Sequence, residues 1–427
     1  MGCDVGEFAM KSFSFRLRLT VFFGAILVLL GGCVAPGRTA KALTQTPLLL
    51  ISMDGFRWDY CALYPEETPH LRELIRTGVT ARGLIPVFPT HTFVNHYTIA
   101  TGLYPAHHGI INNTFFDPKL GEFFRYKVPA ATRDPRWWGG EPIWITAVKQ
   151  GRKSACYFWP GSEVTFDGWR ATITKPYDQN APFEKRFDEL FTWLRLPPDQ
   201  RPAITTFYFH ETNQAGHYAG MESDGLRAAI KLLDGRIGAI VARAKSEQIP
   251  LNIVVVSDHG FVGTDGQTHT LMLDDYVDLD AVQVDFDGPV AGLRPLDGKV
   301  EQVIARLSRL PAQFKVYRES ELPARWHLRG NPRIPPVWIV ADPGWRIQRK
   351  STFLATKDYL LKGDHGYDSA VKEMQGIFIA NGPSFRSGVV VDAVENIHLY
   401  NLFCAAIGLT PAPNDGDDRL VRSALTH

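Results

Sequence analysis

Four short stretches of the chain set histidine, aspartate or asparagine beside or near glycine: Met53-Asp54-Gly55, Asn213 with His217, Ser257-Asp258-His259-Gly260 and Gly363-Asp364-His365-Gly366-Tyr367. Singly, each has a structural explanation, since an aspartate at a strand end caps the following helix and Asp-His-Gly suits a turn. Together they hold enough carboxylates and imidazoles, groups that zinc takes at about 2.0–2.2 Å, for two ions. Two metals about 3.5–4 Å apart clamp the attacking and leaving oxygens of an in-line phosphoryl displacement. That chemistry needs a nucleophile. Thr90 and Thr92, in VFPTHTFVNHYTIATGLYPAHHGIINN, are candidates, because a hydroxyl activated by zinc needs no histidine base. Asn213 and His217 pose a question: a spacing of four stacks two side chains on one helical face, as ligand pairs often lie, yet a neutral amide brings no charge to offset a zinc ion.

The fold must bring these stretches together. TPLLLISMDGF, RPAITTFYFHET and IPLNIVVVSDHGF are apolar runs that stop at polar or charged residues, the pattern of buried parallel strands. Helical patterns such as DGLRAAIKLLDGRIGAIVARAKSEQ lie between them. The alternation predicts an α/β fold, a mostly parallel central sheet covered by helices on both faces, with a small α+β insertion. Ligands bind outside the carboxyl ends of such strands, so Asp54, the Asn213 and His217 region and Asp258-His259 are expected to converge there. A catalytic domain is expected over 46–262 and 351–420. Residues 263–350 read as an inserted capping subdomain of β-α-β-β order, containing DYVDLDAVQVDFDG, the helix KVEQVIARLSRL, FKVYRESELP and PPVWIVADPGWRI. NIHLYNLFCAAIGL reads as a closing amphipathic helix.

Apolar residues at 45%, charged residues at 21% and a formal charge of +1 fit an ordinary globular protein and give no reason to propose polymeric nucleic acid or an anionic membrane surface as partner. The N-terminus is more specific. Lys11, Arg16 and Arg18 precede the apolar run Leu19 to Leu30, which is short for a membrane span and right for a signal-peptide core. Leu30-Gly31-Gly32-Cys33 resembles a bacterial lipobox, so residues 1–45 are expected to be a leader and tether, with Cys33 as a lipid anchor and the mature chain exported to the periplasm; simple secretion with cleavage near Ala35 or Ala40 is the alternative. Beyond the leader stand Cys61, Cys156 and Cys404, an odd number that permits one disulfide at most and matches no zinc motif.

The motifs TFVNHYTIATGLYPAHHGIINN, YFWPGSE, ETNQAGH, VVVSDHG, GDHGYD and YNLFCAAIGLTPAPNDG, in order from Leu48 to Gly416, resemble those of the nucleotide pyrophosphatase/phosphodiesterase family within the alkaline phosphatase superfamily. The resemblance implies one zinc on Asp54, Asp258 and His259, with Thr92 as further ligand and nucleophile. Thr92 is preferred to Thr90 because it precedes Phe-Val-Asn-His, where the family has Thr-Phe-Pro-Asn-His; Val94 departs from that pattern. It implies a second zinc on Asn213, His217 and His365, Asn213 standing where the family carries aspartate, so that this site loses one negative charge. Asn113 matches the residue that hydrogen-bonds a non-bridging phosphoryl oxygen, with Asn112 beside it as the structural candidate. Phe93 and Tyr177 match the aromatic pair that sandwiches a nucleobase. His210 stands where the family has glutamate, and no chemistry is assigned to it.

The function this implies is zinc-dependent hydrolysis of nucleotide phosphodiester or pyrophosphate bonds through a threonine nucleophile, releasing a nucleoside 5′-monophosphate. With Asn213 in place, the second metal is exchangeable, or one metal works slowly, or the pocket binds nucleotide without turnover. Within the superfamily, a lipid head-group phosphodiesterase or a phosphomonoesterase is the alternative, whereas a sulfatase would need a Cys-x-Pro-x-Arg loop that the Thr92 region lacks.

Overall fold

In the computed structural model, which describes residues 46–356 and 360–426, the apolar run Leu48–Met53 is a strand in the interior of an eight-stranded sheet. Across the sheet the strands run Val389–Val391, Val79–Ala81, Phe378–Asn381, Asn252–Val256, Leu48–Met53, Pro202–Phe209, Lys153–Tyr157 and Ile173–Lys175. Five of the seven pairings are parallel, and the two antiparallel ones both involve Phe378–Asn381, so the sheet is mostly parallel as expected.

Strand periodicity divides the core in two. Leu48 and Leu50 of the first strand, with Val254 and Val256 of its neighbour, enter one hydrophobic cluster, whereas Leu49, Ile51, Met53, Ile253 and Val255 enter another. Both faces are therefore covered. One cluster takes Tyr97, Ile99 and Trp144 from the helices Thr92–Thr101 and Ile143–Lys149. The other takes Leu226, Ile230, Leu233, Ile237 and Ile240, spaced at helical intervals along Asp224–Ser246. Full burial of each such side chain contributes roughly 1.5–3 kcal/mol. Ser223 caps that helix by accepting the Leu226 N–H at 3.1 Å. Asp234, inside it, accepts the His70 and Leu71 N–H groups at 3.2 and 2.7 Å, which caps Pro69–Thr77 from outside.

Within 263–350 an antiparallel sheet forms from Val282–Phe286, Val290–Pro295, Val337–Ala341 and Phe314–Arg318, with the helix Val300–Leu307 between its second and third strands in chain order. The order is β-β-α-β-β, not the β-α-β-β expected. Asp287-Gly288, with Gly288 at φ +135°, turns the chain into a hairpin whose second strand, Val290–Pro295, lies beyond the stretch read as the first and was not expected. A third hydrophobic cluster underlies this sheet and extends to Tyr367 and Met374. The helix Leu399–Ala406 also departs from expectation: every residue but Ala405 is buried, so it is enclosed, not amphipathic. Cys61, Cys156 and Cys404 are free and buried, their thiols pushed up to about 12 chiefly by burial. Among the described residues no helix is long and apolar enough to cross a membrane. The expected leader and Cys33 lie outside the described residues.

Candidate metal centre

Three adjacent parallel strands deliver the first residues. Register pairs Met53 with Phe209 and Ser52 with Val256, so Asp54, the helix Glu211–Tyr218 and Asp258-His259 leave the sheet at one edge. Gly55, at φ +70°, turns the chain away; a Cβ there would lie 2.8 Å from Phe261. Asp54, Asp258 and His259 are buried, with one potential ligand atom from each within 4.8 Å of the others.

Each ligand atom is aimed by a partner. Tyr208 donates its hydroxyl to Asp54 Oδ2 at 2.5 Å, which leaves Asp54 Oδ1 buried and without a hydrogen-bond partner. Gly55 N–H donates to Asp258 Oδ1 at 3.1 Å, while Asp258 Oδ2 lies 3.0 Å from His259 Nε2 and 3.3 Å from His96 Nδ1. His259 Nδ1 lies 2.9 Å from the Gly260 carbonyl, His217 Nδ1 lies 3.0 Å from that of Gly363, and His365 Nδ1 lies 2.9 Å from that of Thr90. A carbonyl only accepts, so each Nδ1 is the donor, which turns each Nε2 away from that carbonyl, the orientation in which an imidazole presents Nε2 to a metal.

Burial, then the charge of Asp258, holds the Asp54 carboxyl well above the usual carboxylate range. Burial also raises Asp258, but His259 and His96 outweigh it and hold that carboxyl well below the range. Burial lowers His217 and His365, which are therefore neutral at pH 7. Two buried carboxylates this close are not both charged without a cation, and the unpartnered Asp54 Oδ1 marks where one fits.

The second group is joined to the first through imidazoles: the His259 and His365 rings stack with centroids 3.6 Å apart, and the His217 and His365 centroids are 5.1 Å apart. Asn213 lies one turn before His217, and its Oδ1 is buried with no hydrogen-bond partner. His217, Asp364 and His365 each place one potential ligand atom within 4.8 Å of the others, and Asn213, on the helix that bears His217, carries an amide oxygen without charge.

Thr92 opens its helix, and Thr92 Oγ1 lies 3.3 Å from His259 Nε2. Thr90 is engaged elsewhere: its hydroxyl donates to the Tyr367 carbonyl at 3.0 Å and accepts the Gly366 N–H at 2.9 Å. Phe93 N–H donates to Asn113 Oδ1 at 3.0 Å, which turns the amide so that Nδ2 is free to donate. Asn112 accepts the Asn113 N–H at 2.7 Å in a local contact. Phe93 is half-buried, its ring edge on Phe124 and Tyr126. Tyr177 is 52% exposed and packs against Phe158 and Tyr208. His210 is the residue before the helix Glu211–Tyr218, with Nδ1 3.9 Å from Glu211.

Sequence reasoning assigned no role to His96, Tyr208, Asn95 and Asp364. His96 is fully buried, bonded to Ser52 Oγ and the Thr92 carbonyl at 2.8 Å each. Asn95 accepts the Val87 N–H at 2.8 Å and donates to the His91 carbonyl at 3.1 Å, fixing the loop ahead of Thr92. The signal available was their place in FVNH, directly after the candidate nucleophile.

A family model described as type I phosphodiesterase/nucleotide pyrophosphatase matches residues 48–368. The chain is 39% identical over 397 residues to venom phosphodiesterase CdcPDE of Crotalus durissus collilineatus, covering 90% of this chain and 47% of that protein. It is 38% identical over 382 residues to human ectonucleotide pyrophosphatase/phosphodiesterase family member 1, covering 87% and 41% respectively. The chain thus spans about half the length of the curated relatives it matches. Murine ectonucleotide pyrophosphatase/phosphodiesterase 5 superposes with a TM-score of 0.83 at 34% identity, over 89% of this chain and 100% of that one. An inactive threonine-to-alanine form of the murine protein, solved in complex with AMP, superposes equally well, at 0.83.

Proposed function

The chain belongs to the type I phosphodiesterase/nucleotide pyrophosphatase family, and on that premise we propose that it hydrolyses nucleotide phosphodiester or pyrophosphate bonds with zinc, releasing a nucleoside 5′-monophosphate. The observation that carries this reading is Thr92 Oγ1, 3.3 Å from His259 Nε2, beside Asp54 and Asp258, each with one Oδ buried without a hydrogen-bond partner. Asp54, Asp258 and His259, with Thr92, would hold one ion, and Asn213, His217 and His365 the other. Bound zinc supplies Lewis-acid charge that favours the ionised hydroxyl and offsets charge on the phosphoryl group.

The chain's own residues do the rest. Thr92 Oγ1 forms a bond to phosphorus as the bond from phosphorus to the leaving oxygen breaks, and the leaving oxygen is released as an alcohol or a phosphate. Water then attacks the phosphothreonine, returning the hydroxyl and freeing the monophosphate. Asn113 Nδ2 donates to a non-bridging oxygen, an orientation fixed by the Phe93 N–H. Phe93 and Tyr177 offer ring faces to a base. His96 and Tyr208 hold Asp258 and Asp54 in place. The AMP complex of the murine relative supports a nucleotide occupant.

Residues 46–262 and 351–420 form the catalytic domain on this reading, with 263–350 as its cap, and the chain is exported to the periplasm with Cys33 as lipid anchor. Metabolic labelling with tagged palmitate tests the anchor, an unlabelled mature protein leaving secretion alone.

Replacing Thr92 by alanine abolishes turnover while AMP binding persists by calorimetry; turnover in a clean Thr92→Ala protein would falsify the nucleophile assignment. Asn213 favours one second reading, a nucleotide binder without turnover. That reading predicts stoichiometric AMP binding and no hydrolysis at any zinc concentration.

A further inference from the structure

The second centre lacks a carboxylate at position 213, yet one lies directly behind its histidines. Asp364 is 4% exposed, and its Oδ1 sits 3.9 Å from His217 Nδ1 and accepts the His365 backbone N–H at 2.9 Å. Its Oδ2 is 2.8 Å from Arg346 Nη1, which holds the carboxylate in place. The strand Gly363–Asp364 is placed by register, Asp364 pairing with Val262 just beyond His259. The residue before it must be glycine, because a Cβ on Gly363 would lie 2.6 Å from the Gly216 carbonyl on the helix that bears Asn213 and His217. Nδ1 of His217 faces Asp364 and the Gly363 carbonyl, so its Nε2 points the other way, toward the metal side. Asn213 Oδ1, buried and without a hydrogen-bond partner, marks that side independently.

We propose that Asp364 is a positioning residue that supplies, from behind His217, the negative charge that Asn213 does not. The Gly363 carbonyl, at 3.0 Å, accepts the His217 Nδ1 proton and fixes the ring, and Asp364 Oδ1, at 3.9 Å, acts on the imidazole through its charge, which favours a cation at Nε2; losing a supporting residue of a ligating histidine weakens metal binding about ten- to 100-fold. Arg346 pairs with Oδ2, whereas Oδ1 is the oxygen that faces His217 and accepts the His365 N–H. The inference rests on the two-zinc reading above.

The test is zinc titration of the metal-free full chain by calorimetry, with no substrate present. Wild type is expected to bind two ions, one tightly and one weakly. Asp364→Asn weakens the weak step ten- to 100-fold and leaves the tight one unchanged. In an Asn213→Asp background the same substitution costs less, because the centre then has its own carboxylate. Should Asp364→Asn leave Arg346 unpaired and the protein unfolded, Asp364→Asn with Arg346→Met removes both charges and is titrated instead. An unchanged weak step in the folded variant overturns the role of Asp364 alone. Binding of a single ion by wild type at all zinc concentrations overturns the two-zinc reading and this inference with it.

Discussion

The two clusters at the sheet edge are built alike and charged differently. In both, backbone carbonyls hold histidine Nδ1 and leave Nε2 free. The first adds two buried carboxylates and a hydroxyl; the second adds an amide, with its nearest carboxylate, Asp364, on the far side of the His217 ring and tied to Arg346. On the proposed two-zinc reading, two ligand charges would nearly neutralise the first dication, whereas the second would keep more of its charge, with Asp364 behind His217 as the carboxylate that offsets it. The lesson is that geometry and charge are separable: two clusters keep similar histidine geometry while the charge of their side chains differs.

The largest break in this comparison comes from Asp258→Asn. The variant removes a first-cluster ligand, and turnover of a nucleotide ester falls by more than ~10²-fold, beyond what a supporting residue costs; a smaller loss in steady-state assays contradicts the ligand role. His96→Ala removes no ligand but takes away a partner of Asp258, Ser52 and the Thr92 carbonyl, and lowers first-site zinc affinity about ten- to 100-fold, which competition with a chelator measures. Asn213→Asp sharpens the comparison from the other side: second-site affinity rises about tenfold or more, and no change in a metal titration counts against Asn213 as a ligand.

Tyr177→Ala touches neither cluster, so KM for a nucleotide ester rises by the equivalent of about 1–3 kcal/mol of stacking while kcat changes little. A fall in kcat with unchanged KM contradicts a base-binding role. The smallest effect is on stability without metal. Burial holds His217 and His365 below the ordinary histidine range, so their contribution is present above pH ~6.5 and lost as pH falls toward their folded values. Asp54 is raised, by burial and then by Asp258, so its contribution is present below pH ~4 and lost as pH rises. Between pH 7 and 5 these contributions oppose one another in the urea midpoint of the metal-free chain, and the histidine share is read by difference: acidification lowers the midpoint of wild type more than that of His365→Ala; an equal change in both proteins contradicts the assignment.

Much of this centre was legible in the sequence where strand and site share a residue. Asp54, Asp258 and His259 follow apolar runs that read as strands without ambiguity, and a parallel sheet brings such ends together. The supporting residues were not legible, for physical reasons. His96 sits in a helix buried on nearly every side, where no periodicity separates a functional face from a packing one. Tyr208 reads as one more aromatic of an apolar strand, although its hydroxyl reaches Asp54 from 154 residues away. Asp364 belongs to a quoted motif, but its relation to His217 depends on pairing with Val262, which local spacing does not encode. The missed strand Val290–Pro295 differs in kind, since the Asp287-Gly288 turn signal was present in the sequence.

The central claim is that two unequal metal clusters together support phosphodiester hydrolysis at Thr92. Its most direct test is the initial rate of p-nitrophenol release from p-nitrophenyl thymidine 5′-monophosphate by the full chain across a zinc titration. Release is expected to keep rising after the first ion is bound, to saturate as the weaker cluster fills, and to vanish with chelator. No release at any zinc concentration contradicts it, and would leave a chain that keeps the pocket of an enzyme without its chemistry.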